Sequence, residues 1–176
     1  DHTIELSSLD KEFFPGEGLT KGDVVDYYER IADFMLPWLR DRPLAMKRYP
    51  DGIDGKSFFQ KERPDYFPDW IDSVSVSKED GTVDQVVCNN AATLVYLANQ
   101  ACLTPHVFLA VNDSPRHPDQ LLFDLDPPDH DFAPVQFAAR ALKTLLDEID
   151  GPAFCKTSGS RGLHLVVPLD RSADFD

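Results

Sequence analysis

Residues Leu121 to Pro127 read Leu-Leu-Phe-Asp-Leu-Asp-Pro, and Lys156 to Leu165 read Lys-Thr-Ser-Gly-Ser-Arg-Gly-Leu-His-Leu. In an extended strand side chains alternate between faces, so Asp124 and Asp126 point the same way, about 6.6 Å apart along the chain, while Phe123 and Leu125 point into a core. Two hard oxygen ligands on one rim suit divalent ions about 3.5–4 Å apart, which stabilise the attacking and leaving oxygens of a phosphoryl transfer. In the second motif the glycines of Ser158 to Gly162 let backbone N–H groups approach an anion, and two hydroxyls and the Arg161 guanidinium add donors. His164 follows in a strand whose alternate residues Leu163, Leu165 and Val167 face the other side, so its imidazole shares a face with the loop. A hairpin turn with a satisfied histidine fits the same residues.

Lys11 and Lys21 flank a Phe13-Phe-Pro-Gly turn, and Lys21 opens a helix, where backbone amides and the dipole favour negative charge. Together they suit a terminal phosphate; apart, they are ordinary surface lysines. Phe58 and Phe59 lie between Lys56 and Lys61, which matches an aromatic platform edged by cations that stacks on bases. The plainer alternative is a strand with one phenylalanine buried and one exposed. His106, after Leu103-Thr-Pro, reads as a core or turn histidine, and no His-x-x-x-His or Cys/His spacing marks a zinc site.

Several elements must position these groups. Thr20 with Asp23 forms a capping-box pattern, and Val24, Tyr27, Tyr28, Ile31, Met35 and Leu36 keep helical spacing until Pro37, predicting a helix over about 21–36. Strands are expected at Leu44 to Tyr49 and Ser57 to Gln60, around a Pro50-Asp-Gly-Ile-Asp-Gly turn. Lys47, Arg48, Lys56, Lys61 and Arg63 make this the densest basic region. Ile71 to Val76 and Val83 to Cys88 read as strands around a turn at Glu79-Asp-Gly, and Asn90 caps a helix to about Ala101. A strand at Leu121 to Leu125 leads to a helix with Pro134 in its first turn and Val135, Ala138, Leu142, Leu145 and Ile149 as its apolar set. Strands follow at Ala153 to Thr157 and Leu163 to Pro168. The pattern predicts an α+β, or mixed α/β, domain over 1–176, in which Pro115, Pro118, Pro127 and Pro128 are joints rather than linkers.

With 42% hydrophobic and 11% aromatic residues in 176, the chain can bury a core and is not intrinsically disordered. A formal charge of −14 argues against a protein that coats nucleic acid by bulk electrostatics, but not against local basic pockets. Cys88, Cys102 and Cys155 form no paired spacing and read as core thiols of a reducing compartment. No apolar run reaches a membrane span and Asp1-His-Thr-Ile-Glu is not a signal peptide, so a cytoplasmic protein is expected. The absent initiator methionine suggests a trimmed or processed chain.

From about Ile4 to Leu169 the sequence resembles the polymerase domain of bacterial DNA ligase D, in the archaeo-eukaryotic primase superfamily. The likeness rests on Leu9-Asp-Lys with Phe14-Pro, Leu19-Thr-Lys-Gly-Asp with Asp26-Tyr-Tyr, Arg42-Pro, Lys47-Arg, Pro50-Asp-Gly-Ile-Asp-Gly, Phe58-Phe-Gln-Lys, Phe123-Asp-Leu-Asp-Pro and Lys156-Thr-Ser-Gly-Ser-Arg-Gly-Leu-His. It implies a primase-like catalytic fold with strands flanked by helices. The implied activity is that of a nucleotidyltransferase that fills and extends DNA ends in non-homologous end joining, using Mn2+ or Mg2+ and preferring ribonucleotides. By that resemblance Asp124 and Asp126 bind metal, while Ser158, Arg161, His164, Lys47 and His106 hold an NTP or dNTP. Lys11 and Lys21 grip the 5′-phosphate beyond a gap, and Phe58 and Phe59 pack on template bases. Ku and a DNA ligase are the implied partners, in a cytoplasmic, nucleoid-associated setting.

Two departures accompany the likeness. Ser8 stands where the family has an asparagine at the phosphate pocket. The third metal-binding aspartate of the family comes from a later strand, whose setting Asp170, Asp174 and Asp176 do not match, so a C-terminal part is expected beyond Asp176, on the order of a hundred residues. A non-catalytic module for 5′-phosphorylated DNA ends is the competing expectation. Haloacid-dehalogenase-like phosphatases also place Asp-x-Asp after an apolar strand, with the first aspartate as nucleophile, but Pro128 stands where they carry Thr or Val.

Overall fold

The computed structural model describes residues 2–78, 81–129 and 131–175. The chain divides into two compact units, residues 1–113 and 114–176. Among the described residues no helix is long and apolar enough to cross a membrane.

The first unit opens with a short hairpin, β1 (Glu12–Phe14) and β2 (Leu19–Thr20), leading into α1 (Lys21–Leu39). The capping box forms as expected: Asp23 N–H donates to Thr20 Oγ1 at 3.3 Å and Thr20 N–H to Asp23 Oδ2 at 2.7 Å. The helix runs past Pro37 to Leu39, beyond the expected end at 36. Proline removes one donor in the last turn, but Arg40 N–H still bonds the Leu36 carbonyl at 2.9 Å and buried Leu39 anchors the end.

An antiparallel sheet follows, from β3 (Pro43–Arg48), β4 (Phe58–Gln60), β5 (Ser73–Lys78) and β6 (Gly81–Val87). Glu79 and Asp80, expected in the β5–β6 turn, lie outside the described residues. Ile71 is a buried residue before β5, which starts two positions later than expected. Asn90 caps α2 (Ala91–Asn99), its Oδ1 accepting from Thr93 N–H at 2.8 Å. Then comes β7 (Cys102–Val107), a strand not anticipated from its composition. It pairs with β3 from Leu44↔Val107 to Arg48↔Cys102, and its edge position tolerates Pro105, since an edge strand has one side free of ladder donors.

Leu44, Met46, Val86, Leu94 and Leu97 are fully buried between the sheet and the two helices. Tyr28 of α1 pins that layer to β7 by donating to the carbonyls of Cys102 and Leu103 at 3.1 and 3.0 Å. Burial pushes the Cys88 and Cys102 thiols up to about 12, whereas Cys155 is exposed, contrary to its reading as a core thiol. Thiolate is the reactive form. Titration of the native protein with a disulfide reagent at pH 8 should therefore show one fast thiol, and all three cysteines only in denaturant.

The second unit holds β8 (Gln120–Leu125), α3 (Ala133–Glu148), β9 (Phe154–Thr157) and β10 (Leu163–Pro168). The strand order is β8-β10-β9, with β10 antiparallel to both neighbours. The expected strand–helix–strand unit is thus split by the last strand. On α3 the buried set is Val135, Ala139 and Leu146, while Leu145 and Ile149 are 59% and 74% exposed. The true helical face steps through 135, 139, 142 and 146, and Leu145 and Ile149 fall to its side.

Candidate functional site

In the second unit β10 brings the two chemistry-bearing motifs side by side. His164 lies opposite Asp124 on one neighbour and opposite Lys156 on the other, so the three side chains share one sheet face. His164 Nε2 is 3.2 Å from Asp124 Oδ1, and its buried Nδ1 has no partner in the structure. Leu165, Phe123 and Cys155 stand on the other face, where Leu165, Cys155 and Ala139 of α3 line an apolar groove of about 540 Å³. Lys156 is a site residue not expected from the sequence. Its alternation with Ser158 was visible, but only the central position of β10 aligns it with His164.

Asp126 follows the last residue of β8 and is exposed. Gly162 packs against it so tightly that an added methyl group would overlap both the Asp126 carboxylate and the Leu125 carbonyl. The loop between β9 and β10 is closed from both ends: Ser158 N–H donates to the Gly162 carbonyl at 3.0 Å and Gly162 N–H to Ser158 Oγ at 3.0 Å. Ser160 N–H also approaches that hydroxyl oxygen, at 3.4 Å. Gly159 adopts φ +87°, which an L side chain rarely does. Ser158 Oγ is therefore already an acceptor, and what it offers a ligand is its O–H. Arg161 is exposed at the loop tip.

Asp124 on β8 and Asp126 one residue beyond its end are hard oxygen donors that fit Mg2+ or Mn2+, since magnesium is commonly held by one or two carboxylates with waters and substrate phosphates completing the shell. Among the described residues no group of three or more His, Cys, Asp or Glu side chains is arranged to hold a metal ion. Asp170 and Asp174 join no such group, and Asp176 lies outside the described residues.

In the first unit β3 gathers a different set. Lys47 lies opposite Phe59 on β4 and Thr104 on β7, and Ala45 opposite His106, so Lys47, Phe59 and His106 share a face. The Lys47 ammonium is 5.6 Å from the Phe59 ring centroid and 5.5 Å from that of Tyr49. Phe59 meets His106 edge-on at 5.0 Å. Burial, then the Lys47 charge, holds the His106 imidazole below its ordinary range. Phe58 lies opposite Arg48 and stacks against its guanidinium, so the two phenylalanines stand on opposite faces of β4. Both rings are about half exposed, unlike the one-in, one-out alternative.

Lys11 and Lys21 are also brought together. Lys21 N–H donates to the Lys11 carbonyl at 2.8 Å, and Lys21 Nζ, in a residue only 6% exposed, reaches the Ser7 carbonyl at 2.6 Å and Ser7 Oγ at 3.3 Å. Lys11 Nζ contacts the Pro50 carbonyl at 2.6 Å and Asp51 Oδ1 at 2.7 Å. Burial, then the charges of Lys11 and Arg48, depress the Lys21 ammonium below the usual lysine range. The first amides of α1 are spoken for, because Lys21, Gly22 and Asp23 N–H bond Lys11 O, Leu9 O and Thr20 Oγ1. These amides are therefore not free to favour an anion, unlike the expectation for an open helix N-terminus. An anion here relies on the two ammonium groups. Ser8, exposed at φ +53°, closes the preceding turn by accepting from Lys11 N–H at 3.0 Å.

In the second unit the acidic end of β8 thus lies beside a closed glycine–serine loop. Residues 20–176 match the family model described as "LigD, primase-polymerase domain", and the chain belongs to that family. It is 39% identical over 171 residues to the bifunctional non-homologous end joining protein LigD of Bacillus subtilis, covering 97% of this chain and 27% of that protein. To the multifunctional non-homologous end joining DNA repair protein LigD of Mycobacterium tuberculosis it is 37% identical over 179 residues, covering 97% and 24%. The structure is similar to the polymerase domain from Mycobacterium tuberculosis ligase D in complex with DNA, with a TM-score of 0.87 and 37% identity over 97% of this chain and 62% of that one. The chain thus spans about a quarter of the length of these curated relatives.

Proposed function

We propose that this chain is the polymerase portion of a DNA end-joining system, a template-directed nucleotidyltransferase that fills gaps or extends ends bearing a 5′-phosphate with NTPs or dNTPs. The observation that carries the reading is the shared face of Asp124, His164 and Lys156 beside the closed Ser158–Gly162 loop. In this reading residues 1–176 serve one polymerase domain. Asp124 and Asp126 would hold Mn2+ or Mg2+, which when bound would supply positive charge for acidifying a primer 3′-hydroxyl and neutralising the triphosphate.

The protein side chains supply the rest. Ser158 O–H, Arg161 and His164 bind and orient the triphosphate, and Lys47 and His106 line the nucleotide pocket. A depressed imidazole is neutral at physiological pH, so His106 takes part as a neutral hydrogen-bonding and packing group rather than as a second cation beside Lys47. Lys11 and Lys21 hold the 5′-phosphate, while Phe58 and Phe59 pack on template bases from two faces of β4. Ku and a DNA ligase are the expected partners, in a cytoplasmic, nucleoid-associated setting.

Gap filling tests the proposal. Given Mn2+ and a gapped duplex, the protein should add templated nucleotides, and faster when the downstream strand carries a 5′-phosphate; no addition on any such substrate would sink it. The buried Lys21 ammonium beside Lys11 belongs to the first unit and the carboxylates to the second, which favours one second reading, a module that binds 5′-phosphorylated ends without chemistry. That module would retain the 5′-phosphate preference and add nothing.

A further inference from the structure

Arg48 has no part in the assignments above, yet its guanidinium is fixed by four hydrogen bonds. Its Nε donates to the Gln100 carbonyl at 2.7 Å, Nη1 to Gln60 Oε1 at 2.6 Å and Tyr66 Oη at 2.8 Å, and Nη2 to Gln100 Oε1 at 3.1 Å. Each of these acceptors is a neutral oxygen and, among the described residues, no carboxylate pairs with the guanidinium, so the positive charge is held in place without being cancelled. The guanidinium carbon lies 5.6 Å from the ring centroid of Phe58, which is 47% exposed. A planar cation anchored on its edges and stacked on a ring face restricts that ring, and lysine, a flexible point charge, does not reproduce the fork.

The same guanidinium is tied to the phosphate pocket. Gln100, which accepts two of its bonds, follows Asn99, whose Oδ1 accepts from Ser7 N–H at 3.2 Å; the Ser7 carbonyl in turn holds Lys21 Nζ at 2.6 Å. On the other side Lys11 Nζ rests on the carbonyl of Pro50, two residues beyond Arg48. Ser7, Asn99 and Gln100 line one continuous cleft of about 690 Å³. Arg48 and Lys21 are close enough for their charges to repel, a contribution behind burial and Lys11 in depressing Lys21.

We infer that Arg48 is a DNA-positioning residue: its anchored guanidinium holds Phe58 in place for a template base, and its uncancelled charge strengthens the Lys11–Lys21 grip on a 5′-phosphate. The inference rests on the DNA-end reading proposed above. It joins two subsites through one side chain, so the order imposed on the template and the charge offered to the phosphate are set by a single group.

The test uses gapped duplexes with a 5′-phosphate or a 5′-hydroxyl and 2-aminopurine in the template opposite the gap, read by anisotropy and by 2-aminopurine fluorescence. Arg48→Lys should keep the phosphate preference within about twofold but lose the stacking-dependent fluorescence change, as Phe58→Ala does. Arg48→Gln should lose both, with a preference reduced roughly tenfold and a log K against log salt slope flatter by about one. Wild-type fluorescence with Arg48→Lys, or an undiminished preference with Arg48→Gln, overturns the assignment. So does a variant that melts earlier yet behaves normally below its melting temperature, since that marks a mere buttress of the fold. A wild-type protein indifferent to the 5′-phosphate would instead defeat the underlying DNA-end reading, a distinct result.

Discussion

Replacing Asp124 by alanine should reduce metal-dependent nucleotide addition by about three orders of magnitude or more. A bound ion is worth several kcal/mol of transition-state charge stabilisation, and each 1.36 kcal/mol or so is a factor of ten in rate. The carboxylate stands on the face of β8, with a side chain 58% exposed and 3.2 Å from His164 Nε2. Its backbone pairs with His164 in a ladder running from Gln120 to Leu125, which truncation of the side chain leaves intact. Stability should therefore change little, because exposed groups away from the core contribute little to folding. Asp124→Asn preserves the size of the side chain and a hydrogen bond to His164 but not the charge, and should be equally inactive. Single-turnover extension on a gapped duplex with Mn2+, with thermal melting as control, measures both; an Asp124→Asn rate near wild type would remove Asp124 from the metal site.

The second large effect is expected at Lys21. Charge-assisted hydrogen bonds contribute about 1.5–3 kcal/mol, so Lys21→Met should weaken discrimination for a 5′-phosphate over a 5′-hydroxyl by roughly 10- to 100-fold. Burial lowers the Lys21 proton affinity, then Lys11, then Arg48. Between the depressed folded pKa and the unfolded value the unfolded chain binds more protons, so this group makes stability rise with pH across that window; below it the penalty is fully present. A phosphate in the pocket offsets the repulsion, so affinity should fall as pH rises through the depressed value. Lys21→Met should abolish that pH dependence. Equal pH profiles for wild type and variant, from titrations with 5′-phosphorylated and 5′-hydroxyl duplexes, would count against a charged Lys21 in the pocket.

Local signals were strong where one residue type has one job. Thr20 and Asp23 marked the start of α1, Asn90 the start of α2, and Leu163 to Pro168 showed the full extent of β10. Errors arose where a neighbour decides. β7 carries Thr104, Pro105 and His106 and lacks strand-like alternation, yet it forms because β3 offers it an open edge. Pro37 reads as a stop, but the packing of Leu39 carries the helix one turn further. On α3 both Leu142 and Leu145 satisfy an apolar pattern, and only contact with the sheet selects the face of Val135, Ala139 and Leu146.

Hard carboxylates on alternate positions, a glycine–serine loop and the ordered motifs of the LigD primase-polymerase family are legible from residue type and spacing, which are local. Which of those groups meet depends on how the strands pair. Inserting β10 between β8 and β9 sets Lys156, His164 and Asp124 in one row. Pairing β3 with both β4 and β7 sets Phe59 and His106 around Lys47 and turns Phe58 to Arg48. The physical reason is register. A strand knows which of its own residues share a face, but the residues opposite them are chosen by hydrogen-bond ladders between segments far apart in the chain.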